Sequence, residues 1–162
     1  MPFALDNFRA IQTEHSAHLL RDHQLVIKTG THLNSSVLKL TKDRWTNDTH
    51  ESIRNETGIF FALWVELAGK NCDTVMYNIH AFKLRKLRDH KILARDFAER
   101  FRIAVRQKVK DWPSISFDYG PLTLLQGHFP QSESTFEKDC LDRIKAFACL
   151  CPIIDGLLES RL

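Results

Sequence analysis

Glycine is scarce in this chain, with six in 162 residues, and none belongs to a phosphate-cradling pattern. There is no G-x-G-x-x-G and no G-x-x-x-x-G-K-[ST], so a nucleotide loop of the common kinds is excluded. H-E-x-x-H, G-x-S-x-G and an EF-hand loop are also missing, which removes the familiar zinc-hydrolase, serine-hydrolase and calcium-sensor readings. No apolar run outlasts Ile59–Val65, far short of the roughly 20 residues a spanning helix needs. The start, Met-Pro-Phe-Ala-Leu-Asp, shows neither a basic region nor an apolar core of a signal peptide, so a cytoplasmic protein is expected. Internal repeats and low-complexity segments are absent.

Cysteine is present but sparse, as Cys72, Cys140, Cys149 and Cys151. A disulfide framework is not expected at this size without a secretion signal. Cys149-x-Cys151 lacks a second Cys or His pair at ligand spacing, so these thiols read as packing groups. His15, His18 and His23 do not fall on one helical face, and the sequence gives no metal site and no cofactor.

What is there fits one globular domain over residues 1–162, with 43% hydrophobic and 27% charged residues. The expected fold class is α+β: a mostly antiparallel sheet of about four to six strands with N-terminal, central basic and C-terminal helices packed on it. Leu5, Phe8, Ile11, His15 and Leu19 make a helical stripe over roughly 6–21. Strands follow at 25–29 and 37–41, the second with Leu38 and Leu40 on one face and Val37, Lys39 and Thr41 on the other. Gly30–Ser36 reads as their joining turn, and polar Thr46–Thr57 as a mobile surface loop. Gly58–Leu67 is apolar on both faces and so predicts a central strand. Asp73–His80 predicts its antiparallel neighbour, because the turn between them is too short for a parallel crossover.

From Ala81 the spacing of Ala81, Leu84 and Leu87 predicts a helix, and Phe97, Phe101, Val105 and Val109 predict a second over 95–110. Strands are expected at 115–119 and 122–129, with Gly127 as a candidate bulge. Ser134-x-x-Glu137 reads as a capping box, and Pro152 as the opening of a last apolar helix.

Charge divides the chain. Residues 83–110 hold eleven Lys/Arg against three Asp/Glu, a local +8 in a chain of +3, which leaves −5 elsewhere. The leading functional expectation is a binding module for nucleic acid or another polyanion. Lys83, Arg85, Lys86, Arg88, Arg95, Arg102 and Arg106 would meet phosphates, with Tyr77, Phe82 and Trp112 as stacking groups. Against it stands the ordinary reading of a charge run as a solvated helix face.

The alternative is a small-molecule or catalytic site around Asn78 and His80, two residues apart on one strand face. His80 would be a general base, with Asp118, Glu66 or Tyr119 orienting it and Lys83 and Arg85 holding an anion. A third expectation is a homodimer through the apolar C-terminal helices. A nuclease-type E-x-K or D-x-K is not available, since Glu66 is followed by Leu67 and Ala68.

Overall fold

The structure is a computed structural model, and it describes residues 2–49, 53–54, 57–87 and 91–160. Helix α1 (Phe3–His23) leads into five strands, β1 (Val26–His32), β2 (Ser35–Thr41), β3 (Gly58–Glu66), β4 (Thr74–Phe82) and β5 (Thr123–Pro130). Between β4 and β5 lies α2 (Ala94–Val105), and α3 (Phe136–Ala148) and α4 (Cys151–Glu159) follow the sheet. The five strands form one antiparallel meander in the order β1-β2-β3-β4-β5. The expected α+β class is therefore what the chain adopts, with β3 at the centre. Among the described residues no helix is long and apolar enough to cross a membrane.

Strand alternation sends two unlike sets of side chains to the two faces. Leu38 and Leu40 of β2, Phe61, Leu63 and Val65 of β3, and Tyr77, Ile79 and Ala81 of β4 join the helices in one continuous core. Helix α1 lies against β1 and β2 and is fixed there by Gln12. Its Nε2 donates to the Ile27 carbonyl at 3.2 Å, and its Oε1 accepts from the Thr29 hydroxyl at 2.6 Å. Phe136 of α3 closes on Phe3 and Phe8 of α1, and Phe147 stacks on Phe61 at 4.5 Å between centroids.

The β1–β2 turn is Leu33-Asn34, both at positive φ (47° and 60°), the mirror-image turn whose twist suits a two-residue hairpin. Strand β1 therefore runs three residues further than alternation suggested, and the expected loop at 30–36 shrinks to two residues. The 46–57 connection, expected to be mobile, is pinned at its described ends. The Thr46 hydroxyl donates to the Thr57 carbonyl at 2.6 Å, and Asp48 accepts from the Thr57 amide at 3.0 Å. Within this connection residues 50–52 and 55–56 lie outside the described residues.

Three local expectations are corrected. Ala81 and Phe82 continue β4, and Leu84–Lys86 form one 3-10 turn rather than a basic helix. A 3-10 turn repeats every three residues, so Leu84 and Leu87 bury together just as a short helical stripe would place them. Residues 115–119 form no strand; Ser116 alone bridges Gln126, while Ile115 and Phe117 lean on the core. The capping box does not form either. Thr135 is the N-cap of α3, its hydroxyl donating to Asp139 at 2.7 Å, while Ser134 pairs with Ser132. The register irregularity in β4–β5 falls between Ile79 and His80, away from Gly127.

Candidate functional site

The sheet face turned away from the helices carries the opposite parity of side chains. Val37 and Lys39 of β2, Phe60, Ala62 and Trp64 of β3, and Asn78, His80 and Phe82 of β4 line a pocket of about 210 Å³. His32, Leu33 and Ser35 close its end at the β1–β2 hairpin. Gly30 lies on the same face of β1, and the side chain of Ile53 from the β2–β3 connection sits against it. This face is covered rather than solvated: Lys39 is 6% exposed, Phe60 3% and Asn78 3%.

The walls are apolar and aromatic, with a small polar cluster set among them. Phe60 stacks on His80 with 5.2 Å between centroids, and the Lys39 ammonium sits 4.5 Å from the Phe60 centroid. Phe82 meets His80 edge-on at 4.8 Å. Asn78 Nδ2 donates to His80 Nε2 and, more weakly, to Gln126 Oε1 at 3.5 Å. His80 Nδ1 and Asn78 Oδ1 are buried and have no hydrogen-bond partner among the described residues. Buried polar atoms cost about 1–3 kcal/mol each when unsatisfied, so two beside one pocket mark a place where a partner belongs.

Electrostatics set the protonation states. Burial, with the Lys39 charge adding to it, lowers His80 to about 4, so its ring is neutral near pH 7. Burial also lowers Lys39, to about 8, helped by Lys28 directly across the β1–β2 pair and opposed by Asp48. Among the described residues no carboxylate forms an ion pair with Lys39.

Of the residues singled out from sequence, Asn78, His80 and Phe82 line this pocket. Tyr77 points to the opposite face, where its hydroxyl donates to the Pro113 carbonyl at 2.7 Å and its ring meets Trp112 edge-on. Neither aromatic ring is free to stack on a base. Lys83, Arg85 and Lys86 are exposed on the turn after β4 and do not line the pocket, and Arg88 lies outside the described residues. Asp118 and Tyr119 are exposed on the segment before β5, and Glu66 Oε1 accepts from Asn71, so none of the three reaches the His80 pocket.

Arg95, Arg102 and Arg106 share a second, shallow groove of about 460 Å³ between α2 and Tyr119–Pro121. Arg102 is engaged within the chain, donating to the carbonyls of Leu124, Tyr119, Gly120 and Thr123 at 2.9–3.1 Å. Arg106 lies over the Phe117 ring at 4.8 Å.

Lys39 is the residue that sequence reasoning missed. Its signal was present in the alternation of β2, which puts it on the Val37–Thr41 face, but an outward lysine on a short strand reads as solvated. The apolar β3 was the clue that both faces are covered.

The other candidate clusters are plain surface or packing. Glu14, His15 and Glu137 bring ligand atoms within 4.8 Å of one another at the α1–α3 edge, with Glu14 exposed. His15 Nδ1 is bonded to His18 Nε2 at 2.8 Å. Cys140 and Cys151 are buried, with the Cys151 thiol pushed up to about 12 by burial. No protein-family model, no curated protein and no solved structure matches this chain.

Proposed function

We propose that this protein binds a small, largely apolar molecule with a polar head in the pocket on the helix-free face of its sheet. The observation that carries the reading is the buried Lys39 ammonium beside Asn78 Oδ1 and His80 Nδ1, with no ion pair for the first and no hydrogen bond for the other two among the described residues. A charge and two polar atoms withdrawn from water in an apolar enclosure are costly, and a ligand head group repays that cost. The walls of Val37, Phe60, Ala62 and Trp64 would hold the body of the ligand. The pocket's polar atoms match an acceptor or anion at Lys39 and His80 Nδ1, and a donor at Asn78 Oδ1.

Ligand-observed NMR with small aromatic and aliphatic acids, amides, alcohols and aldehydes tests this directly. At least one class is expected to bind, and Ala62→Leu, which fills the pocket floor with apolar atoms, is expected to abolish the signal while circular dichroism stays unchanged. Failure of every class to bind, or equal binding by the filled variant, overturns the proposal.

The polyanion reading keeps one observation in its favour, the shared groove of Arg95, Arg106 and Tyr119. Fluorescence anisotropy of labelled single- and double-stranded oligonucleotides separates the two. Affinity falling steeply with salt and lost in Arg95→Glu/Arg106→Glu would support a polyanion surface there. No binding at low salt leaves these arginines as solvated surface.

A further inference from the structure

We infer that Lys39 is a nucleophilic amine that captures a small apolar aldehyde as an imine. This rests on the pocket reading above and specifies its ligand class. A nucleophilic lysine must be held neutral, which burial in apolar surroundings and an adjacent cation both favour. Both devices are built here from the backbone up. Lys28 and Lys39 are directly opposed in the β1–β2 register, share the helix-free face, and are each 6% exposed. Asp48, from the β2–β3 connection, acts in the other direction on Lys39. His80 of β4 and His32 of β1 also interact with this amine; both are lowered by burial and by its charge, His32 by Arg54 as well. With its ammonium set at about 8, roughly a tenth of Lys39 is free amine at pH 7, against well under a thousandth for an ordinary lysine.

The lysine also stands where a carbonyl would be presented to it. Its amine lies over the Phe60 face, and the Phe60–His80 stack runs on to Asn78 along the same wall. An apolar aldehyde seated against Val37, Ala62 and Trp64 has its oxygen to place among donors. The Lys39 lone pair attacks the carbonyl carbon, and the carbon–oxygen π pair moves to oxygen. Nitrogen gives up two protons in turn and that oxygen takes up two, the first making the carbinolamine hydroxyl and the second turning it into water. Water leaves as the carbon–nitrogen double bond forms, with no oxidant or reductant consumed. The neutral His80 ring, carrying its hydrogen on Nδ1, and the Asn78 amide are the polar groups that serve the departing oxygen.

Benzaldehyde with sodium cyanoborohydride, read by intact mass and peptide mapping, tests the inference on the full chain. At short times near pH 7 a single reduced adduct on Lys39 is expected, formed at least roughly tenfold faster than on any other lysine. Lys39→Met is expected to lose it. Lys28→Met keeps the target amine but removes the opposing charge, so the pH profile of labelling is expected to move upward. Labelling spread evenly over surface lysines, or a profile unmoved by Lys28→Met, overturns the inference. Benzyl alcohol, which has no carbonyl, separates the two proposals. If it and benzaldehyde bind the pocket by NMR without adduct, the imine is wrong and the pocket stands. If neither binds, the imine is wrong, and the pocket proposal falls with it when the acids and amides also fail to bind.

Discussion

At the residue scale the pocket's ionisable groups oppose stability and leave a pH signature. His80 is held neutral with its pKa near 4, whereas in the unfolded chain it titrates near its ordinary 6.5. Between those values the unfolded chain binds the extra proton, so stability is lost as pH falls from about 6.5 to 4. The shift corresponds to at most about 3 kcal/mol. Urea denaturation of wild type and His80→Gln across that window is expected to show a shallower acid loss in the variant; parallel curves would mean the imidazole is not the group responsible. For Lys39 the sign is the same and the window lies higher. Its charged form is disfavoured in the fold, so a cost is present below about 8 and is relieved as pH climbs from there towards 10.5. Lys39→Met is accordingly expected to raise stability at pH 7 by about 2 kcal/mol, discounted for residual solvent screening. A lysine whose removal stabilises the fold is retained at the expense of stability, which is how functional groups differ from packing groups.

At the scale of elements, two glycines show how tightly the sheet is joined to its surroundings. Gly127 on β5 is opposite Tyr77, and a Cβ there would meet the Tyr77 hydroxyl and come 2.6 Å from the Pro113 carbonyl that this hydroxyl bonds. Gly58, at φ 111°, opens β3 with the Trp45 backbone against it. Gly58→Ala and Gly127→Ala are each expected to cost about 2–4 kcal/mol in urea denaturation, from strain and overpacking. Gly156, which has open space around it, is the control expected to change little or gain.

The same interlocking explains what was legible in the sequence. Strands β2 and β4 were readable from residue types that alternate with the strand period, β3 from its unbroken apolar run, and α2 from a stripe with the helical period. The Ala81–Leu87 segment was not, since a 3-10 turn after a strand mimics a helical stripe. The Asn78–His80 pair was found because both stand on one strand face. Lys39 was not paired with them, because strand order and register, rather than composition, bring β2 and β4 to opposite sides of β3. Likewise, the +8 segment is prominent in sequence, yet its described part is divided among a turn, a helix and a loop.

At the scale of the whole molecule, the last helix is tied to the segment after β2 by one carboxylate. Asp155 on α4 accepts from Lys42 Nζ at 2.7 Å and from Trp45 Nε1 at 2.8 Å, and Arg44 reaches the same carboxylate at 2.7 Å. Burial pushes this carboxyl up, but the hydrogen bonds from Lys42 and Trp45 and the two positive charges outweigh it and hold it below its ordinary value. The apolar C-terminal segment, which suggested a partner chain, thus has its buried side, Cys151, Ile154 and Leu158, in the core of its own chain. Its anchor is Lys42 and the 3-10 turn (Asp43–Trp45) that follow β2. Removing the shared acceptor strands a buried ammonium and an indole N–H together, so Asp155→Ala is expected to cost about 3–5 kcal/mol. Arg44, half exposed, contributes a surface-type pair, and Arg44→Ala is expected to cost less than about 1 kcal/mol. Chemical denaturation of the two variants reads the contrast, and equal losses would show that the outer ion pair, rather than the buried Lys42–Asp155–Trp45 junction, fastens α4 to the sheet. The position of that junction adds a second readout. Because Lys42 comes directly after β2, three residues beyond Lys39, Asp155→Ala is expected to weaken ligand capture in the pocket as well as stability, whereas Gly127→Ala, on the helix-side layer of β5, should lower stability and leave capture by the folded fraction intact.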